Sequence, residues 1–216
     1  MIFHIVAGGP VNNIPDLKCY DKENTKWIGV DRGTVYLINQ GIIPVAAVGD
    51  FDSITEDEWC SIKEKNIDLI KYKAEKDATD LELALKFVYE NNPCKIRIFG
   101  ATGGRLDHFL AGLHHITVLQ KENPAVPVCI IDKKNIIEIK LPGTYQIETN
   151  TDKQFVSFLP LFGQVKNLTL EGFKYPLKNR HISYGSTLCI SNELICDYGT
   201  YSFSDGILLV IRSVDD

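Results

Sequence analysis

Ile96-Arg97-Ile98-Phe99-Gly100-Ala101-Thr102-Gly103-Gly104-Arg105-Leu106-Asp107-His108 runs from an apolar stretch, through a glycine-rich loop, into a helical pattern. Leu106, Leu110, Leu113 and Ile116 continue it in steps of four and three, the spacing of one helix face. A strand that feeds a helix through such a loop reads as half of a βαβ unit. The glycines let backbone amides approach an anion closely. Arg105 adds a planar fork suited to phosphate oxygens. The plain alternative is a tight strand–helix turn with Asp107 as a cap. Phosphate binding is favoured because Arg105 has no evident structural duty there and a helix N-terminus welcomes an anion. The spacing matches neither the Walker A loop nor G-x-G-x-x-G.

Outward from this stretch, strand and helix alternate. Apolar runs occur at Phe3–Ala7, Trp27–Val30, Val45–Val48, Ile67–Ile70, Ile96–Phe99 and Val126–Ile131, and a helical pattern spans Leu81, Ala84, Leu85 and Val88. Such alternation predicts a mostly parallel sheet. The texture changes near Lys140-Leu141-Pro142-Gly143. Beyond it, Gln154–Leu159, Val165–Leu170, Thr187–Ile190 and Ile207–Arg212 alternate apolar and polar residues between turns. The expected fold is therefore an α/β N-terminal domain over residues 1–140, followed by a small all-β sandwich over residues 141–216.

Three further segments place acids just past predicted strands, on the edge where parallel sheets bind ligands. Gly49-Asp50-Phe51-Asp52-Ser53 carries two carboxylates two positions apart. On extended backbone they share a side, with Phe51 turned away. A cation would relieve their repulsion, and a solvated turn is the alternative. Lys76-Asp77-Ala78-Thr79-Asp80 precedes the helix from Leu81. Asp77 or Thr79 is a good N-cap, and Thr79-Asp80-Leu81-Glu82 fits a capping box. Asp77 and Asp80 share a helical face, and Lys76 offers phosphate a point charge. One acid is read as a cap and the other is left open. Asp31-Arg32-Gly33 is either part of the same edge or a turn with a local ion pair. His114, His115, Trp27 and Trp59 read as structural residues.

The 216 residues carry a net charge of −5 and 44% hydrophobic residues. A globular core is affordable, and no basic stripe exists to neutralise a nucleic acid. No apolar stretch approaches the ~20 residues of a membrane span, and Met1–Ala7 reads as a first strand rather than a signal peptide. Cys19, Cys60, Cys94, Cys129, Cys189 and Cys196 show no paired spacing, so reduced, buried thiols in a cytoplasmic protein are expected.

Read in order, the segments resemble the bacterial-type thiamine pyrophosphokinases. The likeness runs through Gly8-Gly9-Pro10, Trp27–Asp31, Gly49–Ser53, Lys76–Leu85 and Gly100–His108. It continues through Leu168–Leu177 and Ile190-Ser191-Asn192-Glu193. It implies transfer of pyrophosphate from ATP to the hydroxyl of thiamine, giving thiamine diphosphate and AMP. It also implies Mg2+, a homodimer, and thiamine bound between subunits. By that likeness Asp50, Asp52 and Asp80 are metal and polyphosphate ligands. Asp31, Arg32, Lys76, Asp77, Thr79, Thr102, Gly103, Gly104, Arg105 and His108 belong to the nucleotide site. Asp107 orients or deprotonates the substrate, with Arg105 and Asp52 beside it in the catalytic set. Ser191 and Asn192 are thiamine contacts from the other subunit. Animal members carry a tryptophan near the last strand, where this chain has Gly206-Ile207-Leu208-Leu209-Val210.

Two other readings compete. A magnesium-dependent nucleotide hydrolase would use the same acids with water, but has no use for a second domain. A non-catalytic thiamine or nucleotide sensor has no use for a charge cluster suited to a metal.

Overall fold

A computed structural model describes residues 1–71 and 78–215. Lys76 and Asp77 lie outside the described residues. The chain divides into two compact units, Met1–Lys133 and Lys134–Asp216.

The first unit is built on strands β1 (Ile2–Val6), β2 (Thr25–Val30), β3 (Ala46–Gly49), β4 (Asp68–Lys71), β5 (Lys95–Phe99) and β6 (Val128–Ile131). Their order is β6-β5-β1-β2-β3-β4 and every pairing is parallel. Ile5, Val6, Ile28, Ala46, Ala47, Val48, Ile96 and Ile98 are buried. Parallel strands covered on both faces need continuous apolar runs of this kind. The helices are α1 (Arg32–Asn39), α2 (Glu56–Lys63), α3 (Asp80–Glu90) and α4 (Leu106–Glu122). Two start on side-chain caps, Thr55 on the backbone of Glu58 and Thr79 on that of Glu82, so their orphan amides are satisfied locally.

The chain walks outward from β1 to β4, then returns to place β5 on the other side of β1. This reversal opens a crevice at the carboxyl ends of β1 and β5. Gly8-Gly9-Pro10 leaves β1 there and Gly100–Arg105 leaves β5 there. The two loops are joined by a hydrogen bond from Gly9 N to the Gly100 carbonyl, 2.8 Å.

The second unit contains two antiparallel sheets. β7 (Asn135–Lys140), β9 (Phe155–Pro160), β12 (Asn192–Glu193) and β14 (Leu208–Ser213) are ordered β12-β9-β14-β7. β8 (Gly143–Glu148), β10 (Val165–Glu171), β11 (Leu177–Ile182) and β13 (Tyr198–Phe203) are ordered β11-β10-β13-β8. Val156, Phe158, Leu208 and Val210 from one sheet close a core with Val165, Leu168, Leu170, Tyr201 and Phe203 from the other. This is the sandwich the alternating runs imply.

Two expectations need correcting. Thr187–Ile190 is a turn, not a strand: Ile190 N bonds back to the Thr187 carbonyl at 3.2 Å. Its alternation arises because Cys189 is buried in the sandwich core while its neighbours face outward. The cysteines are free but not mostly buried; only Cys129 and Cys189 are, while Cys19, Cys60, Cys94 and Cys196 are exposed.

Candidate functional site

Asp31 follows β2 and opens α1 with φ 46°, a conformation that side chains other than glycine, asparagine and aspartate seldom adopt. The strain sets its carboxylate against the end of the neighbouring strand. Asp31 Oδ1 accepts from Phe51 N at 3.2 Å. A Cβ on Gly49 would stand 1.8 Å from that oxygen, so only glycine leaves room. Burial pushes the Asp31 carboxyl up to about 7, helped by the charges of Asp80 and then Asp50. The ends of β2 and β3 and the start of α3 thus converge on one acidic locus. A half-buried acid with two others near it suits a compensating cation or proton.

The Asp50–Asp52 turn differs from the extended geometry expected of it. Phe51 has φ 61° and is buried against Trp59, with ring centroids 5.1 Å apart. Anchoring that ring curls the backbone, so Asp50 and Asp52 do not simply share one side of an extended strand. Asp50 Oδ1 instead accepts from Asp52 N at 3.1 Å, and the Asp52 side chain is exposed. Arg32 clasps the same turn: Nη1 donates to the Ser53 carbonyl at 2.6 Å and Nη2 to Glu58 Oε1 at 3.2 Å. Glu58 in turn closes the capping box of α2 with Thr55.

At α3 the cap is Thr79, whose Oγ1 accepts from Glu82 N at 3.3 Å. An acid is not needed for capping there. Asp80 occupies the first helical turn and faces Asp31 within hydrogen-bonding reach.

The glycine loop ends in a fork. Arg105 Nε and Nη2 donate to the two oxygens of Asp107 at 3.1 and 2.6 Å. These side chains are 71% and 64% exposed, so the pair is open to incoming ligands. The arginine holds the Asp107 carboxyl well down, to about 2. Asp107 Oδ1 also accepts from His108 N at 3.0 Å, and Arg105 itself makes no side-chain cap. Thr102 Oγ1 donates to Asp132 Oδ2 at 2.7 Å. Asp132 was not singled out from the sequence. It ends the apolar run of β6 just as Asp31 and Asp50 end theirs, which is the signal that could have found it.

In the second unit, Asn192 is 2% exposed. Its Oδ1 accepts from Tyr175 N at 3.0 Å and from Glu193 N at 2.9 Å, and its Nδ2 donates to the Tyr175 carbonyl at 2.9 Å. Ser191 has φ 54° and its N donates to Ser157 Oγ at 3.0 Å. Asn192 is therefore a clasp on the main chain of Tyr175, whose residue is exposed, while Ser191 is tied to Ser157.

Carboxylates are the right donors for a hard cation. Among the described residues no three His, Cys, Asp or Glu side chains are grouped to ligate one ion. Magnesium ordinarily takes one or two protein carboxylates and completes its shell with substrate phosphates and water. An acidic locus without a ready-made cage, facing a glycine loop across a switch point, fits that mode.

A parallel α/β unit with acids and a glycine loop at its topological switch point is the architecture of a nucleotide-handling domain; here it is joined to a β-sandwich. Comparison with known proteins places both parts in one family. Residues 17–128 match the model of the thiamin pyrophosphokinase catalytic domain, and residues 144–208 match that of the thiamin pyrophosphokinase vitamin B1 binding domain. The thiamine pyrophosphokinase of Bacillus subtilis is 54% identical over 212 residues, covering 98% of each chain. The crystal structure of thiamine pyrophosphokinase from Bacillus subtilis superposes with a TM-score of 0.95 over the whole of both chains, at 52% identity. That of a thiamin pyrophosphokinase family protein from Enterococcus faecalis gives 0.88 at 35% identity, again over both whole chains. The chain belongs to the thiamine pyrophosphokinase family.

Proposed function

We infer that the protein transfers the terminal pyrophosphoryl group of ATP to the hydroxyl of thiamine, releasing thiamine diphosphate and AMP. One observation carries this reading: a catalytic-domain match and a vitamin B1 binding-domain match occupy successive parts of a single chain. A nucleotide hydrolase would not need the second part.

The thiamine oxygen attacks the β-phosphorus, and the bond from that phosphorus to the α,β-bridging oxygen breaks. Negative charge grows on the transferring oxygens and on the departing AMP. Electrostatic stabilisation of such charge is the main task of a phosphoryl-transfer site. One or two of Asp50, Asp52 and Asp80 would hold magnesium, which when bound would offset charge on the polyphosphate. Arg105 exchanges its partner: its fork leaves Asp107 and takes phosphate oxygens in the same bidentate manner. An exposed pair of this kind costs little to open. Asp107, ionised at neutral pH, is then released to orient the thiamine hydroxyl or receive its proton. Asp31 and Arg32 hold the acid turn in place. Thr79, Thr102, Gly103, Gly104 and His108 line the nucleotide side, and Lys76 and Asp77 belong to it in the same reading. Ser191 serves thiamine from the partner subunit of a homodimer, and the buried Asn192 supports that site by holding the main chain of Tyr175. Leu106, Leu110 and Val118 on α4 are large exposed apolar side chains, as a self-associating surface would present.

The test is to mix the protein with ATP, magnesium and thiamine. AMP and thiamine diphosphate in equal amounts, only when thiamine is present, is the expected result. Phosphate release without thiamine would favour a hydrolase, and binding without turnover a sensor. Sedimentation at equilibrium should give twice the chain mass.

A further inference from the structure

We propose that Asp132 is a positioning residue for the transfer reaction: through Thr102 it fixes the shape of the Gly100–Arg105 loop that meets the nucleotide. The inference rests on the nucleotide being bound at that loop, as read above.

Three observations converge. Asp132 is a carboxylate only 6% exposed, and such a group is retained only where hydrogen bonds hold it. Its Oδ2 accepts from Thr102 Oγ1 at 2.7 Å, a short, charge-assisted bond of the strong kind. The surroundings are clamped from the other side by the turn after β1. Asn13 lies against Gly103, whose Cβ, if present, would stand 1.8 Å from Asn13 Nδ2. Gly103 has φ 77°, so it takes both the turn and the close approach only as glycine. The Asn13 carbonyl accepts from Lys133 N at 2.9 Å, which ties the residue after Asp132 to the same turn. The loops that follow β1, β5 and β6, three neighbouring strands, are thus stapled together at the switch point.

The bond also defines what Thr102 does. A hydroxyl has one proton to give, and Thr102 gives it to Asp132. In this arrangement it does not donate to phosphate; the loop's backbone amides and Arg105 are left for that. Asp132 then acts on the reaction only through the loop. A loop displaced by a fraction of an ångström loses its alignment with phosphate oxygens, and such misplacement is costly in rate.

The experiment compares Thr102→Val, Thr102→Ser, Asp132→Ala, Asp132→Asn and the double variant Thr102→Val/Asp132→Ala with wild type. Thermal stability, KM for ATP and for thiamine, and kcat are measured well below each Tm. Thr102→Val and Asp132→Ala should each raise KM for ATP by about tenfold, with KM for thiamine changed less than about twofold. Thr102→Ser and Asp132→Asn, which keep a donor and an acceptor, should recover most of that loss. The double variant should be no worse than Asp132→Ala alone, because the bond that Thr102→Val removes is already lost there. If Asp132→Ala leaves KM for ATP at the wild-type value while Thr102→Val raises it, Thr102 touches the nucleotide by itself and the proposal is wrong. It is equally wrong if the losses multiply, or if Tm falls with KM for ATP unmoved. Should Asp132→Ala fail to fold, Asp132→Leu, which keeps volume and removes the acceptor, takes its place, and a wild-type KM for ATP in that variant would overturn the proposal. Failure of wild type to make thiamine diphosphate would instead overturn the assigned reaction and leave the loop geometry untouched.

Discussion

Asp31 should weaken the free protein. Its carboxyl ordinarily titrates near 3.8 and is pushed up to about 7 in the fold by burial and by Asp80 and Asp50. Below about 4 both folded and unfolded chains carry the proton and nothing is lost. As pH rises from there, the unfolded chain ionises first, so stability declines until the folded pKa is passed near 7. A carboxylate held up that far would cost ~4 kcal/mol at full ionisation. The group is only half-buried, so solvent screening brings the figure to about 1–2 kcal/mol. Asn at this position keeps the acceptor for Phe51 N, tolerates the positive φ and removes the charge. Asp31→Asn without magnesium should therefore be more stable at pH 8 by about 1–2 kcal/mol, or ~3–6 °C in Tm. The gain should vanish below pH 4. Added magnesium should raise the Tm of wild type more than that of the variant. Thermal melts across pH 4–8, with and without magnesium, make the measurement. A variant less stable than wild type at pH 8, or a gain independent of pH, would refute the reasoning.

Asp52→Asn should lower kcat by roughly 10²-fold or more, because charge on the transferring group then goes unbalanced, with the melt unchanged since the side chain is exposed; normal turnover at saturating magnesium would remove Asp52 from the metal set. Arg105→Lys keeps the charge and loses the fork, so steady-state assays should show kcat/KM for ATP down by about tenfold or more while Tm moves by less than ~1 °C. Asn192→Ala leaves the part-buried main chain of Tyr175 without these partners and should cost about 1–3 kcal/mol, read as a Tm lower by ~3 °C or more; an unchanged Tm would remove the structural duty assigned to Asn192.

The sequence made the strands of the first unit legible because buried parallel strands are short continuous apolar runs, here bounded by glycine and acid and alternating with helix-period stretches. Their carboxyl ends were then marked by acid and glycine, and the structure brings Asp50 and Asp80 each into electrostatic reach of Asp31. What could not be read was set by contacts distant in sequence. The positive φ of Phe51 follows from burying its ring against Trp59, and no local rule yields it. Leu177–Ile182 is exposed along most of its length, so β11 lacks the alternation that betrays a strand. Ser191-Asn192 looks like any turn until Tyr175 is placed beside it. Asp132 was within reach, since it ends a strand run as the other acids do, but no glycine follows it to draw attention.

The most direct test of the account is the fate of the oxygens of ATP. ATP carrying 18O in the β,γ-bridge is converted in the presence of thiamine and magnesium, and the products are read by mass spectrometry. Attack at the β-phosphorus predicts the label wholly in thiamine diphosphate, with unlabelled AMP as the other product. ADP formed together with thiamine monophosphate, or label released as inorganic phosphate or pyrophosphate, would contradict it.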